Sequence, residues 1–124
     1  MAFSELQTAQ YINLETFKRN GDGVKTPVWQ VYHEGRSYVW TQADSWKVKR
    51  IRNNSKVKIV PSDARGTPEG DWFDGRARIL DGNAEVAEVE RLMVKKYGLF
   101  FRMFRFLGRL RRSQYTSIEL SPAA

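Results

Sequence analysis

The sequence contains no cysteine and a single histidine, His33. Disulfides, thiolate nucleophiles and Cys-ligated zinc are thereby excluded, and one histidine cannot assemble a metal cluster, which needs several convergent ligands. No metal ligands are expected. His33 falls in a His33-Glu34-Gly35-Arg36 turn and reads as a solvent-exposed turn residue. Neither a Gly-x-Gly-x-x-Gly nor a P-loop pattern occurs, which argues against Rossmann and Walker sites. Asp71 and Asp74 would face opposite sides of a strand, so no carboxylate acid–base pair is expected, and no catalytic side chain stands out. Long apolar runs are missing too. No segment approaches membrane-spanning length, and the opening MAFSELQTAQ lacks the basic and apolar regions of a signal peptide. Cytoplasmic residence without stable membrane insertion is the expectation.

What is present is a chain of 124 residues, 41% hydrophobic, with formal charge +7 and a sequence pI of about 9.9. That length predicts one domain spanning residues 1–124, close to the size at which dimerisation helps. The charge makes polyanions plausible partners: nucleic acid, membrane headgroups or a phosphorylated cofactor. A nucleic-acid module is not expected, since neither a helix-turn-helix nor an aromatic RNP-type signature occurs.

Along the chain, Ser4 to Gln10 predicts one helical turn. Tyr11 to Phe17 alternates as a strand, and Asn20-Gly21-Asp22-Gly23 supplies the left-handed positions of a tight hairpin. Val24 to Tyr32 reads as a second strand, placed at an edge, bulge or open seam by Pro27, which has no N–H to give. Ser37 to Thr41 is the third strand of a meander. A helix opening at Ser45 ends at Asn53-Asn54, and Lys56 to Val60 is a strand stopped by Pro61. Ser62 to Gly70 is an exposed loop, and Trp72 to Leu80 a fifth strand. Val86, Val89, Met93 and Tyr97 form the core stripe of a helix from Ala84 to Tyr97, capped by Gly98. A second amphipathic helix, Leu99 to Arg112, places Phe100, Met103, Phe104, Leu107 and Leu110 opposite Arg102, Arg105, Arg109 and Arg112. Such a helix can lie on a membrane. Closing one barrel end against a partner subunit is the preferred reading, because the strands alone leave an open core. Gln114 to Leu120 completes six strands.

The junction WTQADSWKVKRIR, from Trp40 to Arg52, is the candidate site. A serine at the helix start, unpaired first-turn amides, the helix dipole and Lys47 together suit a phosphate. The alternative is an ordinary solvated basic face. Thr26-Pro27-Val28-Trp29 and Trp40-Thr41 on neighbouring strands would line a groove for a planar ring with a phosphorylated tail. The same tryptophans also read as core aromatics.

The ordered segments TFKRNGDGVKTPVW, YVWTQADSWKVKRIRNNSKVKIVP, GDWFDGRARIL and KKYGLFFRMFRFLGRLRR resemble the small pyridoxamine 5'-phosphate oxidase-like (PNPOx-like) proteins described as probable coenzyme F420-dependent enzymes. The resemblance spans Tyr11 to Leu120. It implies a mainly β, α+β split β-barrel of the FMN-binding type, with six or so antiparallel strands and helices at the barrel ends. It also implies a homodimer with a cofactor groove at the interface. The cofactor would be F420, with FMN as the alternative, and hydride would pass to or from an electron-poor small molecule. Lys47 matches the lysine nearest the cofactor phosphate, in a motif with Ser45, Lys49 and Arg50. Thr26, Pro27, Val28, Trp29, Trp40 and Thr41 match the segments beside the ring. The chain departs from the pattern at Trp46, where a large ring would narrow or cover the phosphate site, and at Asn53-Asn54-Ser55. A non-catalytic flavin, deazaflavin or haem binding protein is the alternative function.

Overall fold

The computed structural model describes residues 2–110 and 114–123. A 3-10 helix (Ala2–Gln7) leads into β1 (Tyr11–Phe17), which turns into β2 (Gly23–Trp29). The Lys18 N–H donates to the Asp22 carbonyl at 2.9 Å, and Gly21 takes φ 94° as the turn requires. At Gln30 the strand breaks, and it resumes as β3 (Val31–His33). Glu34 and Gly35, both at positive φ (51° and 78°), then turn the chain into β4 (Arg36–Gln42).

The expected single strand from Val24 to Tyr32 is therefore two half-strands, and the first three strands do not form a simple meander. β2 pairs with β1, and β3 pairs with β4, at opposite edges of a seven-stranded antiparallel sheet ordered β2-β1-β5-β6-β7-β4-β3. Because one residue links the two edges, the sheet curls into a split barrel with no ladder across the seam. Gln30 pins that crossing. Its buried Nε2 donates to the carbonyls of Leu6 (2.8 Å) and Ala9 (2.6 Å), and its Oε1 accepts from Ser37 Oγ at 2.7 Å. Its main-chain oxygen accepts from Lys96 Nζ at 2.9 Å and from the Tyr97 hydroxyl at 2.5 Å.

The remaining elements are α1 (Trp46–Asn53), β5 (Lys56–Ser62), β6 (Phe73–Leu80), α2 (Asn83–Tyr97), α3 (Leu99–Leu110) and β7 (Tyr115–Pro122). Pro61 does not stop β5, contrary to expectation. Its carbonyl accepts from the Glu69 N–H at 2.8 Å, on the side facing away from β1. A residue's N and C=O share one side of a strand, and β6 pairs only as far as Ile59. The missing N–H of Pro61 thus leaves no ladder bond unmade. The following loop is tied down rather than free: Asn13 Nδ2 donates to the Gly66 carbonyl at 2.9 Å, and Asp63 accepts from the N–H groups of Arg65 and Thr67.

Two apolar clusters result. Inside the barrel, Ile12, Leu14, Val39, Val57, Ile59, Ile118 and Leu120 pack with Val48 and Ile51 of α1 and with Phe3 and Leu6. On the outer face of β4, Val31, Leu80, Val89, Met93 and Phe101 pack beneath α2 and α3, joined by Tyr38 and Trp40. The α3 stripe differs from expectation. Its buried positions are Phe101 and Gly108, while Phe100, Met103, Phe104, Leu107 and Leu110 remain exposed. The barrel interior is already filled by α1 and the 3-10 helix, so α3 has only the outer cluster to enter. Arg112, placed in this helix by its spacing, lies outside the described residues.

Candidate functional site

β2 and β4 each present neighbouring residues to opposite faces, as a two-residue period demands. Val28 and Thr41 point toward the barrel, while Trp29 and Trp40 point toward the helical layer. The groove at this barrel end wraps both strands, so it receives all four residues together with Lys47 from α1. Phe101, Phe104, Leu107 and Gly108 of α3 form the opposite wall, and Tyr11, Gln42 and Tyr115 complete the lining. Its volume is about 570 Å³, within the range of cofactor sites. A second depression at the far end of β1, about 390 Å³, is lined by Phe17, Lys56, Lys58 and Asp74 and lacks such an aromatic wall.

Both tryptophans are already stacked. Trp29 lies on Tyr97 with centroids 4.7 Å apart and planes at 11°, and Phe104 meets it edge-on at 5.3 Å. Trp40 lies on Tyr115 at 3.8 Å and 13°, meets Phe101 edge-on, and donates its indole N–H to Glu90 at 3.1 Å. These rings are held rigidly, and they line the groove as walls rather than as free stacking platforms.

Lys47 is the groove's one lining cation among the described residues. Burial holds its ammonium below the usual lysine pKa, and the nearby Arg50 charge pushes in the same direction. Ser45 takes the N-cap position of α1, but its side chain makes no capping bond. Its buried Oγ has no hydrogen-bond partner, although it does not itself line the groove. The first-turn amides of α1 have no intrahelical acceptor. Lys47 and the uncapped start of α1 both lack an acceptor, and an anionic oxygen in the groove would supply one to the lysine.

The structure separates the other expected residues from this groove. Successive helical residues are rotated by about 100°, so Lys47 turns toward the groove while Lys49 and Arg50 turn toward the β1–β2 hairpin. There they line a different depression with Lys18, Arg19, Trp46 and Asn53. Arg50 Nε donates to Thr16 Oγ1 at 2.6 Å, and Lys49 Nζ lies 4.4 Å from the centre of the Trp46 ring. Trp46 is 71% exposed and does not line the groove, so it neither narrows nor covers the position of Lys47. Thr26 and Pro27 lie further along β2 and also stay out of the groove lining. His33 ends β3, 3.6 Å from Glu34. The contribution of α3 was missed in the sequence. Its signal is Gly108, a glycine amid bulky residues, where a Cβ would collide with the Tyr115 ring.

No family model and no curated protein matches this sequence. Solved structures match it in fold. The heme storage protein HutZ from Vibrio cholerae is 17% identical with TM-score 0.72, over 95% of this chain and 84% of that one. A FAD-binding protein from Mesorhizobium loti is 14% identical with TM-score 0.64, over 96% and 83%. A Listeria innocua protein assigned as a pyridoxamine 5'-phosphate oxidase is 10% identical with TM-score 0.63, over 98% and 90%. The fold is therefore a PNPOx-like split barrel. Its structural neighbours include flavin-associated and haem-associated proteins.

Proposed function

We propose that this chain is a cofactor-dependent oxidoreductase that binds coenzyme F420, or alternatively FMN, in the groove between β2, β4 and α3. The observation that carries the reading is Lys47. It is a half-buried lysine whose charge is disfavoured in the free protein, and it lines an aromatic-walled groove from the first turn of α1. An anionic tail at Lys47 would place a planar ring against the wall formed by Trp29, Trp40 and Phe104. The bound ring would supply hydride chemistry toward an electron-poor small molecule, and the protein would supply orientation and water exclusion. The groove is open along one side. A second copy of the chain would complete it, in keeping with a homodimer.

Val28, Trp29, Trp40, Thr41 and Lys47 are the residues assigned to this site. Ser45 acts at the helix start, and Lys49 and Arg50 would meet only a tail long enough to pass over α1. Thr26 and Pro27 would position β2 without touching the cofactor. Titration with F420, FMN and FAD, followed by fluorescence, tests the reading. Micromolar binding of one of them is expected, and binding of none would sink it. Lys47→Ala should weaken that binding by about 1.5–3 kcal/mol. Lys49→Ala should change FMN affinity by less than about 0.5 kcal/mol.

One observation favours a second reading, cofactor binding without turnover. No carboxylate, imidazole or thiol lines the groove among the described residues. Steady oxidation of the loaded, reduced protein by enones or quinones would decide for the enzyme. Tight loading with no turnover across such a panel would decide for a carrier.

A further inference from the structure

The face of α3 turned away from the protein carries Leu99, Met103, Phe106 and Leu110, which are 80%, 49%, 58% and 65% exposed. Phe101 and Gly108, the residues that dock the helix, lie on the opposite side. The outward face is therefore the most apolar part of a helix that also holds Arg102, Arg105 and Arg109 along one edge. At about 150–250 Å² for a large side chain, half-exposed residues on this scale present several hundred Å², the size of the largest apolar patch on a typical soluble monomer, which is often functional.

Charge selects the occupant. Between Glu90 and Glu119 the sequence has eight Lys and Arg and no Asp or Glu, which leaves the rest of this +7 chain within one charge of neutral. On α3 itself, Arg102, Arg105 and Arg109 edge this apolar face and the helix carries no Asp or Glu. A symmetric pairing of two such faces would bring like charges together with no acid to offset them. An anionic bilayer surface complements both features, because acyl chains accept the apolar residues and headgroups pair with arginines at the rim. Among the described residues no helix is long and apolar enough to cross a membrane. We infer that α3 is an interfacial helix that docks the protein on an anionic lipid surface, its outward face entering the headgroup layer. This inference does not depend on what the groove binds.

Co-sedimentation of the full chain tests it, using vesicles of phosphatidylcholine with and without phosphatidylglycerol. Binding is expected to the mixed vesicles and not to phosphatidylcholine alone, and it should weaken as salt rises. Arg102→Gln and Arg109→Gln should each reduce partitioning about fivefold. Met103→Glu combined with Phe106→Glu should abolish it while leaving the circular dichroism spectrum and melting temperature unchanged, since both positions are solvent-exposed. The inference is overturned if the protein stays in the supernatant with both vesicle types, or if binding survives the double glutamate substitution. It is equally overturned if that substitution only converts a dimer to a monomer in sedimentation, which would assign the face to a second copy.

Discussion

Two helices of this protein, α1 and α3, are both basic and both amphipathic, yet the barrel treats them differently. α1 has two core-facing residues, Val48 and Ile51, and both are buried inside the barrel. α3 is bulky and apolar around much of its circumference, and only Phe101 among its large side chains is fully buried. The difference lies in supply and demand for interior volume rather than in charge. A narrow stripe is absorbed by the strands beside it, while a wide one exceeds what a filled core can accept. Positive charge along a helix therefore does not say what the helix is for. The residues left uncovered on its apolar side are the better guide.

The contrast can be broken first at Phe101. Phe101→Ala should cost about 3–5 kcal/mol of stability in urea unfolding, because the side chain is fully buried against Trp40. A loss below about 1 kcal/mol would mean that α3 is held by something other than this anchor. Next in size, Gln30→Ala should cost about 1–3 kcal/mol, since the buried Ser37 hydroxyl would lose its acceptor and the Leu6 and Ala9 carbonyls would each lose one of their donors.

A third prediction concerns Lys47 and produces slopes of opposite sign from one group. Its folded pKa lies below the 10.5 of a free lysine. Between those two values the unfolded chain holds the proton and the folded chain does not, so the stability of the ligand-free protein should rise with pH in that window. Anion binding needs the charged form, so FMN or F420 affinity should fall as pH rises through the same lowered pKa. Lys47→Arg should remove both slopes, as followed by thermal melts and by fluorescence titration. The smallest effect sharpens the comparison within α3 itself. Phe106→Ala should change stability by no more than about 0.5 kcal/mol, because the ring is exposed.

Most of the fold was legible because turns and alternation are local signals. Asn20 to Gly23, Gly98 and the Asn53-Asn54 stop all act where the sequence places them. The split at Gln30 was not legible, since a glutamine between Trp29 and Val31 looks like any polar strand residue. Its partners, Leu6, Ala9 and Ser37, are supplied only by the folded chain. Of the groove's lining, Lys47 and Trp40 were legible in the strand–helix junction and Trp29 in the neighbouring Thr26–Trp29 segment. The exclusion of Lys49 and Arg50 from the groove follows from helical rotation. The sequence motif groups these cations by proximity along the chain, and proximity is not convergence.

The position of β7 has a consequence for how the molecule is made. This strand, Tyr115–Pro122, inserts between β6 and β4, pairing Ser37 with Leu120 and Leu80 with Ser117. Until those residues have left the ribosome, β4 can pair only with β3, and the outward edge of β6 stays unpaired. Both apolar layers would then be incomplete. Barrel assembly is thus delayed until synthesis passes the last helix, and a nascent chain halted before residue 115 would expose the strand edges most open to mispairing.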